Sequence, residues 1–272
     1  MRWVKPEVFL TAKSVVQPAG VRKWLERLGC SEEVIEKYTR GEGKTDGERI
    51  VELAGRRCYM SFEPGLNPNV KKIREDIAVY IANILDSGHG SVLEHVTFTF
   101  AIEGVSRVFT GEMNRHRAGM AISEGSMRYI RYSDIPMVDV PSLDPNSPDV
   151  PLVRQKTRNA IAELCGIIEK YYMDLVARWS PVLEGKEFAG KKQVTSMLRR
   201  IIPMGVATGG VWTGNIRALR HLFTMRCAES AEEEICYVAV MMLEKMMQEE
   251  PILFGDFAKD TKGFYAPVYR KV

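Results

Sequence analysis

The stretch from Asn114 to Tyr129 reads NRHRAGMAISEGSMRY and concentrates side chains that could bind an anion. Its basic and hydroxyl-bearing members are Arg115, His116, Arg117, Ser126, Arg128 and Tyr129. Small residues between them would let the backbone approach a ligand closely. Guanidinium groups bind phosphate in a bidentate manner, and hydroxyls and backbone amides complete such sites. A solvated basic turn is the alternative, but this combination favours an anion-binding site.

A second group of polar residues stands just before an alternating segment of the chain. His89, Ser91, Glu94 and His95 precede residues 96–102, whose period of two predicts a half-buried strand. Two histidines and a carboxylate could bind a metal. The spacing matches no zinc motif, however, so we expect no metal site.

A third group lies about a hundred residues further along the chain, at Asn215, Arg217, His221 and Arg226. On a helix beginning near Thr213, Arg217 and His221 would lie one turn apart on one face. An arginine on a helix is often solvated or paired locally. Arg226 could therefore simply pair with Glu229 or Glu234 of the same segment.

The remaining pattern predicts a helical protein with at least one central strand. An edge strand is expected at 8–16, and a short helix at 106–114 should deliver Arg115. Longer helices are predicted at 46–58, 70–87 and 154–179, two short helices and a polar loop at 20–47, a proline-rich linker at 134–151, and a polar loop at 184–192. No GxGxxG motif follows a strand, so a Rossmann dinucleotide site is not indicated.

Composition limits the classes of protein that this chain can represent. With 272 residues and 45% hydrophobic content, it can form one sizeable domain over 1–272. A net charge of +3 argues against a dedicated nucleic-acid binder. The five scattered cysteines and the absence of an 18-residue apolar run predict a cytoplasmic protein with reduced thiols and no membrane segment.

The stretch around Arg115 resembles the signature of the flavin-dependent thymidylate synthases, RHR-x-x-S-x-N-E-x-S-x-R-Y. The matching residues are Arg115, His116, Arg117, Glu124, Ser126, Arg128 and Tyr129. The segment between Arg117 and Glu124 is one residue longer here, and Ser123 replaces the Asn. Met120 or Ala121 stands where the first Ser of the signature should be.

The two other groups also match this family, and the resemblance covers most of residues 50–257. It implies that His89 lies near the flavin and the nucleotide and takes part in catalysis together with Arg226, which would grip the uracil ring. The implied flavin-contacting residues are Ser91, Glu94, Arg115, His116, Arg117, Asn215, Arg217 and His221. The implied substrate-binding residues are Glu112, Arg115, Glu124, Gly125, Ser126, Arg128 and Arg226.

The resemblance also implies a fold, a reaction and an assembly. The fold would be α/β, with a mixed sheet flanked by helices, in a homotetramer whose active sites lie between chains. The reaction would be the reductive methylation of deoxyuridine monophosphate to thymidine monophosphate, with FAD, NADPH and methylenetetrahydrofolate. The family pattern is more compact at about 20–47, which reads as a helical insertion.

Departures from the family pattern keep other functions open. Gly111 and Glu112 stand where the family has an Arg-Gln pair, and His221 stands where it usually has Asn. A carboxylate at Glu112 would repel a nucleotide phosphate unless it meets another group. A flavoenzyme making a different C5 modification of a pyrimidine nucleotide, or a non-catalytic flavin or nucleotide binder, therefore remains an alternative. A nucleic-acid-binding module rests on the basic triplet alone.

Overall fold

The computed structural model describes residues 1–41, 43–129, 132–185 and 188–272. Its strands are β1 (Arg2–Val4), β2 (Glu7–Lys13), β3 (Thr97–Ser106), β4 (Met120–Glu124), β5 (Pro136–Val138), β6 (Ala207–Asn215), β7 (Phe257–Lys259) and β8 (Tyr265–Pro267). Its α-helices are α1 (Pro18–Leu28), α2 (Glu32–Arg40), α3 (Asp46–Tyr59), α4 (Ile77–Ser87), α5 (Arg107–Met113), α6 (Pro151–Leu183), α7 (Phe188–Leu198), α8 (Ile216–Arg226), α9 (Glu233–Glu249) and α10 (Pro251–Phe254).

A four-stranded sheet in the order β2-β3-β6-β4 lies at the centre, and all of its neighbouring strands are antiparallel. The one parallel ladder among the described strands joins β1 to β5, and β7 and β8 form a hairpin. The predicted α/β fold with helices flanking the sheet is confirmed. The mixed sheet that the resemblance implied is corrected, because the pairings of the central sheet are all antiparallel. The edge strand expected at 8–16 and the strand expected at 96–102 correspond to β2 and β3.

The sheet buries one face against helices because its strands alternate apolar and polar residues. Phe98, Phe100 and Ile102 of β3 point into the main core, where Trp212 of β6 is also fully buried. Helices α4, α5, α8 and α9 contribute apolar side chains to the same core. The segments that carry the three polar groups are thereby attached to one rigid layer.

Two smaller apolar clusters flank this core. Helix α6 is the longest described helix, as expected from 154–179, and it packs with α7 over Tyr132, Met137 and Val206. Helices α1 and α2 pack on α3 through a separate cluster. They lie within the expected insertion at 20–47, of which residue 42 is outside the described residues.

Two helices begin later than their periodicity predicts. The helix expected at 70–87 begins at Ile77, because the Asp76 carboxylate accepts the N–H groups of Ala78 and Val79 and caps the first turn. Its end at Gly88 is confirmed by a left-handed φ of 74°. The helix expected from Thr213 begins at Ile216, because Asn215 caps it and Thr213 belongs to β6.

Two strands of the central sheet were missed by the sequence prediction. Residues 207–215 form β6, and residues 120–124 form the edge strand β4 instead of a loop of small residues. The polar loop expected at 184–192 is wrong from Phe188 onward, where α7 begins, and its residues 186 and 187 lie outside the described residues. The expected linker at 134–151 contains β5 and a 3₁₀ turn, Pro141–Leu143.

No helix in the described part of the chain is both long enough and apolar enough to span a membrane.

Candidate functional site

The N-terminus of α8 is the element that positions the third polar group. The Asn215 amide oxygen accepts the Ala218 N–H at 2.9 Å, and the Asn215 N–H donates to the Gly119 carbonyl at 3.1 Å. A Cβ on Gly119 would lie 2.6 Å from Asn215 Nδ2, and the φ of Gly119 is +70°. Glycine is therefore required there for the segment after the basic triplet to approach α8 closely.

A cleft of about 580 Å³ opens beside this helix start. Its lining includes four residues that the resemblance predicts to contact flavin, namely Glu94, Asn215, Arg217 and His221. The guanidinium of Arg217 and the carboxylate of Glu94 form an ion pair at 2.6 Å, although about half of each side chain is exposed. The cleft is thus charged and open to solvent.

A second pocket of about 390 Å³ contains two further members of the His89 group. His89 and Ser91 line it, and the His89 ring stacks on Tyr59 with ring centroids 6.4 Å apart. Arg217 lines both pockets. A Cβ on Gly90 would lie 2.8 Å from Arg217 Nε, so glycine at this position makes room for the arginine that joins the two pockets.

Arg226 lies at the C-terminal end of α8 in a cluster with residues from the α5 region. Its Nε donates to His116 Nε2 at 2.9 Å, and its Nη1 is 3.0 Å from Glu112 Oε2. The other oxygen of Glu112 is 3.2 Å from Arg115 Nη1. Glu112 is therefore paired with two arginines. These are the other group that a carboxylate needs at this position, where the family has Gln, if it is not to repel a nucleotide phosphate.

The local pairing suggested for Arg226 in its own helix is wrong. Glu229 forms an ion pair with Lys262, and Glu234 is buried and accepts the N–H and hydroxyl of Ser106. Both carboxylates are thus occupied elsewhere. The guanidinium of Arg226 is instead directed across the structure toward the basic triplet.

His116 is neutral in this cluster. Burial, followed by the neighbouring positive charge of Arg226, lowers the pKa of His116 to about 4. A neutral imidazole can accept a hydrogen bond at Nε2, which is what Arg226 requires. The ring of His116 also lies near that of His221, with centroids 6.1 Å apart. The Arg226 cluster therefore adjoins the cleft beside the start of α8, which we call the flavin-predicted cleft because its lining includes residues expected to contact flavin.

The second half of the signature forms a separate turn at the end of β4. Arg107 forms an ion pair with Glu124 and donates to the Gly125 carbonyl at 2.6 Å, while Asn114 Nδ2 donates to Glu124 at 2.8 Å. The sequence prediction missed Arg107, because its partner becomes visible only once β4 is paired with β6. Glu124 is thus held in place from two sides.

Beyond Glu124, the Ser126 hydroxyl accepts the Arg128 N–H at 3.4 Å, and the Thr195 hydroxyl donates to the Arg128 carbonyl at 2.6 Å. The backbone of this turn is fixed while the Arg128 side chain is exposed. Arg117 is also exposed.

The cysteine beside Arg226 does not have the properties of a catalytic nucleophile. All five thiols are free. Burial strongly raises the pKa of Cys227, the one beside Arg226, so its thiolate form is disfavoured. Within the described residues, no group of three or more histidine, cysteine or acidic side chains is arranged to hold a metal ion.

Comparison with known proteins identifies relatives over most of the chain. The family model described as thymidylate synthase complementing protein matches residues 42–252. The flavin-dependent thymidylate synthase of Mycobacteroides abscessus is 35% identical over 211 residues, covering 78% of this chain and 80% of the relative. The enzymes of the same name from Mycobacterium avium and Corynebacterium diphtheriae are each 36% identical, over 213 and 217 residues, with the same coverage.

Proposed function

Because the chain belongs to the flavin-dependent thymidylate synthase family, a family of FAD-dependent methyltransferase-type enzymes, we propose a specific reaction for it. It converts deoxyuridine monophosphate, methylenetetrahydrofolate, NADPH and a proton into thymidine monophosphate, tetrahydrofolate and NADP⁺. The one-carbon unit goes to C5 of the uracil ring, which loses its C5 proton. NADPH supplies the reducing equivalents through FAD.

The observation that carries this proposal is the direction of Arg226. Its guanidinium is held by Glu112 and by neutral His116 beside the cleft, and 17% of the side chain remains exposed. Methylation at C5 requires negative charge to develop on the uracil ring, and a fixed guanidinium facing a carbonyl oxygen stabilises that charge. Arg226 therefore has both the position and the restraint that ring polarisation requires.

The phosphate of the nucleotide is assigned to the basic residues on either side of β4. Arg115 and Arg128 have exposed guanidinium groups, and Ser126 and the backbone at Gly125 supply further polar groups. Glu112 lies between Arg115 and Arg226 and restrains both. Glu124 acts through its ion pair with Arg107, which also binds the Gly125 carbonyl and so shapes the turn.

FAD is assigned to the two pockets that meet at Arg217. Their lining fits an extended polar ligand, because flavin-predicted residues occur along both: His89 and Ser91 in one, and Glu94, Asn215 and His221 in the other. Arg115, His116 and Arg117 extend this set from the basic triplet. When bound, the flavin supplies hydride chemistry, which this chain's own side chains cannot provide. His89 is assigned to the border between flavin and nucleotide.

Assembly as a homotetramer is part of the proposal. Large apolar side chains are exposed along α6, among them Leu152, Val153, Leu164 and Tyr171, each more than half exposed. A helix face of this kind is covered when chains associate. We further propose a cytoplasmic location, consistent with five free thiols, and a single domain over 1–272 with a helical insertion at about 20–47.

The test is to titrate the purified protein with FAD and then to follow turnover with deoxyuridine monophosphate, methylenetetrahydrofolate and NADPH. We expect a yellow protein that bleaches on reduction and forms thymidine monophosphate. A C5-hydroxymethyl product would instead establish the alternative pyrimidine-modifying activity. FAD binding without any nucleotide product would favour the other alternative, a protein that binds flavin or nucleotide without catalysis.

A further inference from the structure

Two basic residues near the end of the chain lie in the flavin-predicted cleft. Arg270 and Lys271 line it opposite α8, although the family model's match ends at residue 252. The cleft's described lining thereby carries three basic side chains, Arg217, Arg270 and Lys271, and one acidic side chain, Glu94. The cleft has an excess of positive charge that comes from outside the matched region.

A buried ion pair anchors this segment to α8. Arg220 is fully buried, and its two terminal nitrogens lie 2.6 and 2.9 Å from the carboxylate oxygens of Asp256. Asp256 accepts the Tyr269 N–H at 3.2 Å, and Arg220 donates to the Tyr269 carbonyl at 3.4 Å. The backbone immediately before Arg270 is therefore held on both sides by the same ion pair.

The residues around Arg270 complete the attachment. Tyr269 and Val272 pack against the main core, while Arg270 and Lys271 between them are exposed. Lys271 Nζ donates to the Asp86 carbonyl at 2.7 Å, near the C-terminal end of α4. The segment thus runs from α8 to α4 as a fixed wall of the cleft and presents Arg270 to it.

The basic side chains of the cleft differ in whether they already have a partner within the protein. Arg217 is paired with Glu94, and Lys271 is bound to a backbone carbonyl. Arg270 forms no hydrogen bond or ion pair with any residue in the described ranges. An arginine with a fixed backbone, a free guanidinium and a position in a nucleotide-sized cleft is suited to bind phosphate.

We propose that Arg270 binds the pyrophosphate of the flavin cofactor, and that the Arg220–Asp256 pair positions it. The inference rests on the proposed binding of FAD in this cleft. FAD is favoured over the nucleotide substrate because the other side chains of the cleft are those assigned to the flavin, whereas Arg115 and Arg128 are assigned to the substrate phosphate. Arg270 is a binding residue and takes no part in proton or hydride transfer.

The experiment compares Arg270→Gln with Lys262→Gln. Lys262 lies between β7 and β8 and is paired with Glu229, so it serves as a control from the same end of the chain. Apoprotein is titrated with FAD, with riboflavin, which lacks phosphate, and with deoxyuridine monophosphate. For Arg270→Gln we expect the Kd for FAD to rise about tenfold or more, the loss typical of a hydrogen bond to a charged group. The Kd values for riboflavin and deoxyuridine monophosphate should stay unchanged, and Arg270→Lys should recover part of the FAD affinity.

Each contrary result has a distinct meaning. If wild-type protein binds FAD and Arg270→Gln binds it equally well, the inference is overturned while the proposed function stands. Equal weakening of FAD and riboflavin would show a structural role and overturn it too, as would a loss confined to deoxyuridine monophosphate. Failure of the wild-type protein to bind FAD would overturn both. Because Arg270 is exposed, the variant should keep the thermal unfolding midpoint of the wild type.

Discussion

Two of the three arginines of helix α8, Arg220 and Arg226, lie six residues apart and differ in nearly every physical respect. Arg220 is fully buried and binds both oxygens of Asp256 and the Leu253 carbonyl. Arg226 remains 17% exposed and is held by one oxygen of Glu112 and one nitrogen of His116. The first guanidinium is enclosed by protein acceptors, whereas the second still has donors available for a ligand.

The difference shows that one helix can carry an arginine that stabilises the fold and another that is available for catalysis. A buried guanidinium with bidentate and backbone acceptors cannot be removed without leaving Asp256 as an unpaired buried charge. A partly exposed guanidinium with two restraints keeps a defined orientation and can still face a substrate. Burial and the number of acceptors, more than residue type, therefore distinguish the structural arginine from the functional one.

The largest effect should come from Arg220→Ala, which leaves Asp256 buried without its partner. We expect the free energy of unfolding to fall by about 3–5 kcal/mol. Arg226→Ala is the matched control on the same helix and should lose less than half of that amount. Urea unfolding of both variants measures the difference, and equal losses would show that the two arginines are not separated as described.

Arg128→Ala extends the comparison to an exposed arginine on a fixed backbone. It should weaken the binding of deoxyuridine monophosphate by roughly 1.5–3 kcal/mol, the range for a hydrogen bond to a charged group. Stability should barely change. Arg178→Ala, at an exposed arginine paired with Asp174 on α6, is the control for isothermal titration. Unchanged nucleotide affinity would assign Arg128 to structure.

Glu112→Gln tests the restraint on Arg226 from the side of the carboxylate. Removing this negative charge should weaken nucleotide binding by about 0.2–1 kcal/mol, because Arg115 loses the carboxylate that holds its guanidinium in place. Glu94→Gln removes the carboxylate paired with Arg217 and should leave nucleotide affinity alone. Tighter nucleotide binding in Glu112→Gln would contradict this role and show that the carboxylate repels the phosphate.

A further effect concerns pH. The pKa of His116 is lowered to about 4 in the folded protein from an ordinary value of 6.5. As pH falls from 6.5 toward 4, His116 is protonated in the unfolded chain but stays neutral in the folded one, so the free energy of unfolding decreases. His116→Gln keeps an acceptor for Arg226 that does not titrate. It should lose less stability between pH 7 and pH 5 than the wild type.

Urea unfolding at the two pH values measures this effect. His95→Gln, at an exposed histidine before β3, is the control and should follow the wild type. An identical loss of stability in His116→Gln and wild type would show that His116 does not stay neutral beside Arg226.

Parts of the candidate site were predictable where residues stand in recognisable order. Most members of the His89 and Asn215 groups line two pockets that share Arg217, and Gly119 of the signature stretch lines one of them. Strand β3 followed from its period of two. These features depend on neighbouring residues in the sequence, so the local pattern is enough to predict them.

Features that depend on distant pairing were not predictable in the same way. Strand β6 reads ATGGVWTGN, and its glycines conceal a central strand that is stabilised by pairing with β3 and β4. Arg107 acquires its role from an ion pair with Glu124 formed across the fold. The partners of Arg226, His116 and Glu112, lie more than a hundred residues away in sequence.

The most direct test of the account is single-turnover oxidation of reduced flavin by Arg226→Ala and Arg226→Lys, with nucleotide and methylenetetrahydrofolate present. If Arg226 stabilises charge that appears only during the reaction, FAD content and nucleotide Kd should stay near the wild-type values. The rate in Arg226→Ala should fall about a hundredfold or more. Lysine should rescue poorly, because an ammonium lacks the planar fork of a guanidinium. Wild-type rates of flavin oxidation and product formation in folded Arg226→Ala would contradict the central claim.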